Sequence, residues 1–269
     1  MYALEINQVN KVYGNNFKAL DNVNFKLNHG DFVGLLGVNG AGKTSLISSI
    51  AGINSFHGEI KIMGHNVLTD LVNAKRQLGV VPQELAFDPF LTVMQTLKFQ
   101  SGLYGVVNNQ AWLEELIERM HLTDKIHSNT RSLSGGMKRR LMVAQALVHK
   151  PKVIILDEPT VGVDVEIRKN IWEFITKLHN EGHTILLTTH YLEEVEQLCN
   201  KIIMIDKGKI ITESSKSELI DKANGLPSTL QIETENGQFI TELEGLILTK
   251  ESNKYTLKLE NNKTMMDVV

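Results

Sequence analysis

Hydrophobic positions divide the chain into short segments of changing period. Leu4, Ile6 and Val9 alternate with polar neighbours and Val12 follows, so residues 3–12 are expected as a strand. A second strand is expected over Val23–Leu27. Asp31–Leu36 holds a short apolar run ending beside Gly37, the pattern of a buried strand, and a helix is expected from Lys43 to about Ala51, closed by Gly52. Glu59–Met63 and Gln77–Val81 read as further strands, the latter stopped by Pro82. Residues 90–149 read as mainly helical, with Trp112, Leu113, Leu116, Ile117 and Met120 at helical spacing. Val153–Leu156 is an unbroken apolar run, expected of a strand covered on both faces. Then come a helix over Glu166–Asn180, a strand over Thr184–Leu187, a helix over Tyr191–Cys199 and a strand over Lys201–Ile205. Strands alternating with helices imply a parallel sheet covered on both sides.

The pattern changes after about Ser215. Ser217–Ala223 is expected as a short helix. Beyond Pro227, short alternating strands such as Leu230–Ile232 and Tyr255–Leu259 are separated by turn residues at Asn236-Gly237 and Glu251-Ser252-Asn253. The expected organisation is a main domain over 1–215, with a helical region over about 84–150, and a small β-rich accessory region over 216–269.

Composition narrows the class. Of the 269 residues 42% are apolar and 22% charged, which is ordinary globular usage. A net charge of -3 gives no sign of a nucleic-acid partner. The single cysteine, Cys199, permits no internal disulfide and suits a reducing compartment. No apolar run approaches the roughly 20 residues of a membrane helix. Met1–Glu5 lacks the basic and apolar stretches of a secretory signal. Any membrane association is therefore expected to run through a partner.

The strongest chemical signal is Gly37-Val38-Asn39-Gly40-Ala41-Gly42-Lys43-Thr44, followed by Ser45. Glycines let the backbone curl until several N–H groups face one cavity, and the following helix N-terminus adds partial positive charge. Lys43 brings a full charge to the outer phosphates, and the Thr44 hydroxyl suits Mg²⁺. By itself this segment specifies a nucleoside triphosphate. A second signal is Asp157-Glu158, at the carboxyl end of the apolar run, where open α/β sheets bind ligands. Asp157 is expected to serve Mg²⁺ and Glu158 to act as base for a water attacking the terminal phosphate. Strand alternation predicts that the two point to opposite faces.

Between these motifs lies Arg131-Ser132-Leu133-Ser134-Gly135-Gly136-Met137-Lys138-Arg139-Arg140, which resembles the signature sequence of ATP-binding-cassette (ABC) ATPases. Tyr13 resembles that family's adenine-stacking aromatic, Gln83 its glutamine-loop residue, Asp164 its D-loop aspartate and His190 its switch histidine. The resemblance runs from about Leu4 to Lys209 through seven ordered motifs. Taken singly, Tyr13 reads as a strand-end surface aromatic, His190 as a hydrogen-bonded structural histidine and Ser134 as a helix cap. The sequence departs from the family pattern at Met137, where Gln is usual, and at Val163, where Leu is usual. Met137, Leu141, Ala144 and Leu147 or Val148 are expected as one core-facing stripe, with Lys138, Arg139 and Arg140 on a solvated face or in an ion-pairing cluster.

The resemblance implies an ABC-type phosphate-loop α/β fold with a parallel core sheet, an antiparallel β subdomain and a helical subdomain. It implies ATP and Mg²⁺ as cofactors and a head-to-tail dimer with two composite sites. In each, Tyr13, Gly37, Asn39, Gly40, Ala41, Gly42, Lys43, Thr44, Ser45 and Gln83 of one subunit would hold ATP and Ser134 and Gly136 of the other would cover it, with Gly135 and Asp164 also among the nucleotide-binding residues. Thr44, Gln83 and Asp157 would meet the metal; Glu158, His190, Lys43 and Gln83 would carry catalysis. The implied partners are a second ATPase subunit and membrane-spanning permease chains, which place the protein on the cytoplasmic face of the membrane. Met137–Leu141 and His190–Cys199 resemble ATPases of bacterial ABC-2 exporters, with an importer ATPase as the alternative. A soluble ABC ATPase acting on nucleic acid is disfavoured by the single phosphate loop. A GTPase is disfavoured because no Asn-Lys-x-Asp segment occurs.

Overall fold

The apolar runs at Phe32–Leu36 (β3), Val153–Asp157 (β7) and Thr184–Thr188 (β8) are buried at every position. This is the consequence of lying inside a parallel sheet with both faces covered. With Leu78–Val81 (β6) and Lys201–Asp206 (β9) they pair in parallel, and Lys209–Ser215 (β10) completes a six-stranded sheet of order β10-β9-β3-β8-β7-β6. The computed structural model describes residues 1–14, 16–84, 87–163, 165–189, 191–216, 218, 228–233, 247–251 and 254–259.

A second, antiparallel sheet has the order β2-β1-β4-β5, from Leu4–Val12 (β1), Lys18–Leu27 (β2), His57–Ile62 (β4) and His65–Asn66 (β5). Leu4 faces Leu27 on one side and Ile62 on the other, and Ile6 faces Phe25 and Ile60. That alternation places one side of the sheet in the core. There it joins Leu46, Ile47 and Ile50 of the helix Lys43–Ile50 (α1), and Val33, Leu35, Val153, Ile155 and Leu186 of the central sheet.

The central region is helical, as its periodicity predicts: Val93–Leu103 (α3), Gln110–Arg119 (α4) and Gly135–Leu147 (α5) pack together. Thr92 and Gln95 form a reciprocal capping box at the start of α3. The Trp112 indole donates to Leu147 O at 3.0 Å and ties α4 to α5. Two further helices, Val165–Asn180 (α6) and Leu192–Leu198 (α7), follow β7 and β8. The single stripe expected on α5 is too narrow: Leu141, Met142, Val143, Ala144, Ala146, Leu147 and Val148 are all buried, so the helix is enclosed on several sides.

Before Ser228, three elements escape the sequence pattern. The short helix Leu71–Arg76 (α2) buries only Ala74, β5 has two residues, and β10 is an edge strand with few buried positions. None carries enough buried positions to show a period.

The chain forms two compact units, Met1–Ser214 and Ser215–Val269. In the second, Ser228–Glu233 (β11), Ile247–Glu251 (β12) and Lys254–Leu259 (β13) form an antiparallel sheet of order β11-β13-β12. Of the break expected at Glu251–Asn253, Glu251 ends β12 and pairs with Lys254, and residues 252–253 lie outside the described residues. β12 was not anticipated. The turn expected at Asn236-Gly237 and nearly all of the helix expected over Ser217–Ala223 lie outside the described residues.

Candidate nucleotide site

The phosphate loop leaves the end of β3 and runs into α1. Gly42 caps α1 with φ 111°, and a Cβ there would stand 2.7 Å from Ala19 O. Both the left-handed backbone and the close approach require glycine. A Cβ on Gly37 would meet Ile205 O at 2.5 Å, so the first glycine lets the loop press against β9. Lys43 is 7% exposed, and its ammonium donates to Gly37 O at 2.6 Å and Val38 O at 3.3 Å. The cation is thereby held over the curled loop.

The two carboxylates do not part as strand alternation predicts. β7 ends at Asp157, and Glu158 takes φ 49°, a left-handed conformation uncommon outside glycine. This turn redirects the Glu158 side chain, and both acids line one cleft. Thr188 of β8 organises the pair: its hydroxyl donates to Asp157 Oδ1, while its carbonyl and hydroxyl oxygens accept from the Glu158 N–H at 3.0 and 3.2 Å. Burial raises the Asp157 pKa above its ordinary value and the Glu158 charge adds to this; the Thr188 hydrogen bond, Lys43 and Arg139 oppose it. Across the cleft Gln83 Nε2 donates to Glu158 Oε2 at 3.1 Å.

The cleft has a volume of about 190 Å³ and is lined by Asn39, Gly40, Gly42, Lys43, Thr44, Ser45, Gln83, Asp157 and Glu158, with Phe17 and Ala19 at one side. Phe17 and Ala19 were not anticipated. Their only sequence signal is position, just after Tyr13 and at the start of β2. Tyr13 stands beside this cleft: its hydroxyl is 3.2 Å from Ser45 Oγ and accepts from Asn54 Nδ2 at 3.1 Å, and the Lys11 ammonium lies 4.8 Å from its ring centroid.

Ser134 is exposed and is not among the described residues lining the cleft. Its hydroxyl caps α5 by accepting from Met137 N at 3.3 Å, and Gly135 follows in open space. A Cβ on Gly136 would meet Ile167 of α6 at 2.7 Å. Asp164 and His190 lie outside the described residues. Within the basic run after the signature, Arg139 departs from the expected solvated face or ion-pairing cluster. Arg139 is 3% exposed and donates to the carbonyls of Pro82, Gln83 and Glu158; Arg140 donates to Met120 O and His121 O.

A curled glycine loop at a helix N-terminus, a buried lysine and two acids at the carboxyl ends of a parallel sheet define a phosphate-loop nucleoside-triphosphate-binding protein. The sequence model of one family, ABC transporter, matches residues 20–161, over half of the chain. The linearmycin resistance ATP-binding protein LnrL of Bacillus subtilis is 38% identical over 225 residues, covering 82% of this chain and 72% of its own. The Nod factor export ATP-binding protein I of Cupriavidus metallidurans is 38% identical over 225 residues, covering 82% and 74%. Among solved structures, an ATP-binding subunit of an ABC transporter superposes with a TM-score of 0.75 at 26% identity, covering 82% of this chain and 93% of that one. The chain belongs to the ABC transporter family and is an ATP-binding, ATP-hydrolysing subunit of it.

Proposed function

We propose that this subunit hydrolyses ATP in the composite sites of a head-to-tail homodimer and so drives export by membrane-spanning subunits on separate chains, at the cytoplasmic face of the membrane. One observation carries the composite-site reading. The cleft is formed by the phosphate loop, Gln83, Asp157 and Glu158, whereas the exposed signature Ser134 lies outside it. A second subunit's Ser134, Gly135, Gly136 and Asp164 would complete each site. Similarity to proteins named for linearmycin resistance and Nod factor export supports export over import.

In this reading Lys43 and the loop N–H groups neutralise the phosphates, with Tyr13 and Phe17 on the base side. Glu158 takes the proton of the water that attacks the terminal phosphorus. Gln83, bonded to Glu158, holds the carboxylate toward that water. His190 contacts the terminal phosphate. The oxygen set of Thr44, Gln83 and Asp157 suits Mg²⁺, which would neutralise charge on the transferred phosphoryl group. The helical region from α3 to α5 is assigned to coupling with the permease. Ile53, Pro82, Gln100 and Tyr104 line one cavity, and the exposed Ile53 and the exposed Phe99 and Leu103 of α3 would offer the permease apolar side chains.

The test is ATP hydrolysis by the purified chain, with and without its co-expressed permease, followed by fractionation. Turnover with membrane attachment only in the permease's presence is expected. No ATP hydrolysis, or firm attachment of the lone chain, overturns the reading.

A further inference from the structure

Arg139 sits five residues beyond Ser134 on α5, yet its guanidinium serves the cleft behind the helix. One nitrogen donates to Pro82 O at 2.8 Å. The other donates to Gln83 O at 3.0 Å and to Glu158 O at 3.2 Å. Gln83 and Glu158 are themselves joined side chain to side chain at 3.1 Å. A single planar cation thus holds the backbones of two of the segments that line the cleft, those of Gln83 and Glu158. At 3% exposure it has surrendered its hydration to these carbonyls. Burial lowers its pKa, while the charges of Asp157 and Glu158 act the other way and favour the cation.

We propose that Arg139 is a positioning residue that couples the two ATP sites of the dimer: it makes the signature helix of a subunit follow the state of that subunit's own Gln83 and Glu158. The inference rests on the composite-site reading above. The physical ground is stiffness. A guanidinium fork fixes direction as well as distance. Gln83 or Glu158 cannot shift its backbone without either breaking bonds to a buried charge or dragging α5. From Arg139 to Ser134 the helix rises only about 7.5 Å, at roughly 1.5 Å per residue. Displacement at the carbonyls therefore reaches the Ser134 cap, and Ser134 closes the other subunit's site. Arg139 touches no reacting atom; it acts through Glu158 and Ser134.

The experiment compares the parent with R139K and R139Q by ATP titration of hydrolysis, nucleotide affinity and melting temperature. The parent is expected to hydrolyse ATP with a Hill coefficient above one. In R139Q the coefficient falls to one and turnover drops about tenfold, comparable to ordinary coupling between sites, while ATP affinity holds; the melting temperature falls, because the carbonyls of Pro82, Gln83 and Glu158 lose their buried donor. R139K keeps the charge without the fork and falls between. A mixed dimer isolates the coupling: one subunit is wild type, the other carries E158Q with or without R139Q. Its only fully active site uses the wild-type Glu158 and the variant's Ser134, so R139Q must lower turnover there from across the interface. Equal rates with and without R139Q, or a Hill coefficient of one in the parent, overturn the coupling role. A parent that hydrolyses no ATP overturns the proposed function instead.

Discussion

The Gln83 amide lies 3.1 Å from the Glu158 carboxylate and donates to it. The bond spans 75 residues of sequence and crosses from the loop after β6 to the turn after β7. It leaves the Glu158 carboxylate oriented by an uncharged donor, which does not compete for the proton a base must accept. Glu158→Gln preserves shape and removes the base. Turnover should fall about 10²–10⁴-fold, with ATP affinity kept through Lys43, Thr44 and Asp157. In ATP and Mg²⁺ the variant should elute as a dimer and in ADP as a monomer, read by size exclusion with light scattering. Adding Ser134→Arg should abolish the dimer and keep ATP binding. Parent-rate hydrolysis by E158Q removes Glu158 from its role.

Lys43→Ala removes an ammonium held over the phosphate loop by Gly37 O and Val38 O. A charge-assisted contact contributes about 1.5–3 kcal/mol, so ATP affinity should weaken roughly 10- to 150-fold. Calorimetric titration checks it, and unchanged affinity refutes the phosphate-loop assignment.

Asp157→Asn should stabilise the nucleotide-free protein. Burial raises the Asp157 pKa, so its ionised form is disfavoured in the fold. For an acid with a raised folded pKa the cost is absent below the unfolded value of 3.8 and grows as pH rises through the folded value. The variant should therefore melt higher than the parent at pH 7–8 and the gain should vanish near pH 3.8 and below. A lower melting temperature at pH 7–8 contradicts the assignment, while loss of hydrolysis is expected in either case.

His149 supplies a separate acid limb. Its ring stacks on Tyr104 with centroids 3.6 Å apart, and Nε2 lies 3.0 Å from Leu78 O. Burial lowers its pKa from 6.5 to about 4. A base with a depressed folded pKa adds no penalty above 6.5, and the penalty grows as pH falls from 6.5 towards 4, to about 3 kcal/mol at full extent. His149→Phe keeps a stacking ring and forfeits the Leu78 bond. It should be less stable at pH 7.5 and lose less stability than the parent between pH 6.5 and 4. Parallel melting curves against pH would dismiss His149 as the titrating group.

The sequence by itself determined the alternation of strand and helix through β9 apart from β5 and α2, and with it the phosphate loop and the acid pair. Each is a local signal: a buried parallel strand must be apolar throughout, as at Val153–Leu156, and a curled anion loop needs glycines at fixed offsets. Phe17 carries no such signal, because its place in the cleft depends on where β2 lies against the loop. The left-handed turn at Glu158 was hidden for a related reason. Alternation describes a strand's interior, and the turn is fixed by Thr188, 30 residues on. Arg139 shows the limit most plainly. Its neighbours Lys138 and Arg140 make a basic run that reads as solvated, and charge alone argues for water. Only the fold brings the carbonyls of Glu158 and Gln83, 19 and 56 residues away, within reach of the guanidinium. Burial of a cation is decided by where acceptors meet in space, and tertiary structure alone supplies that.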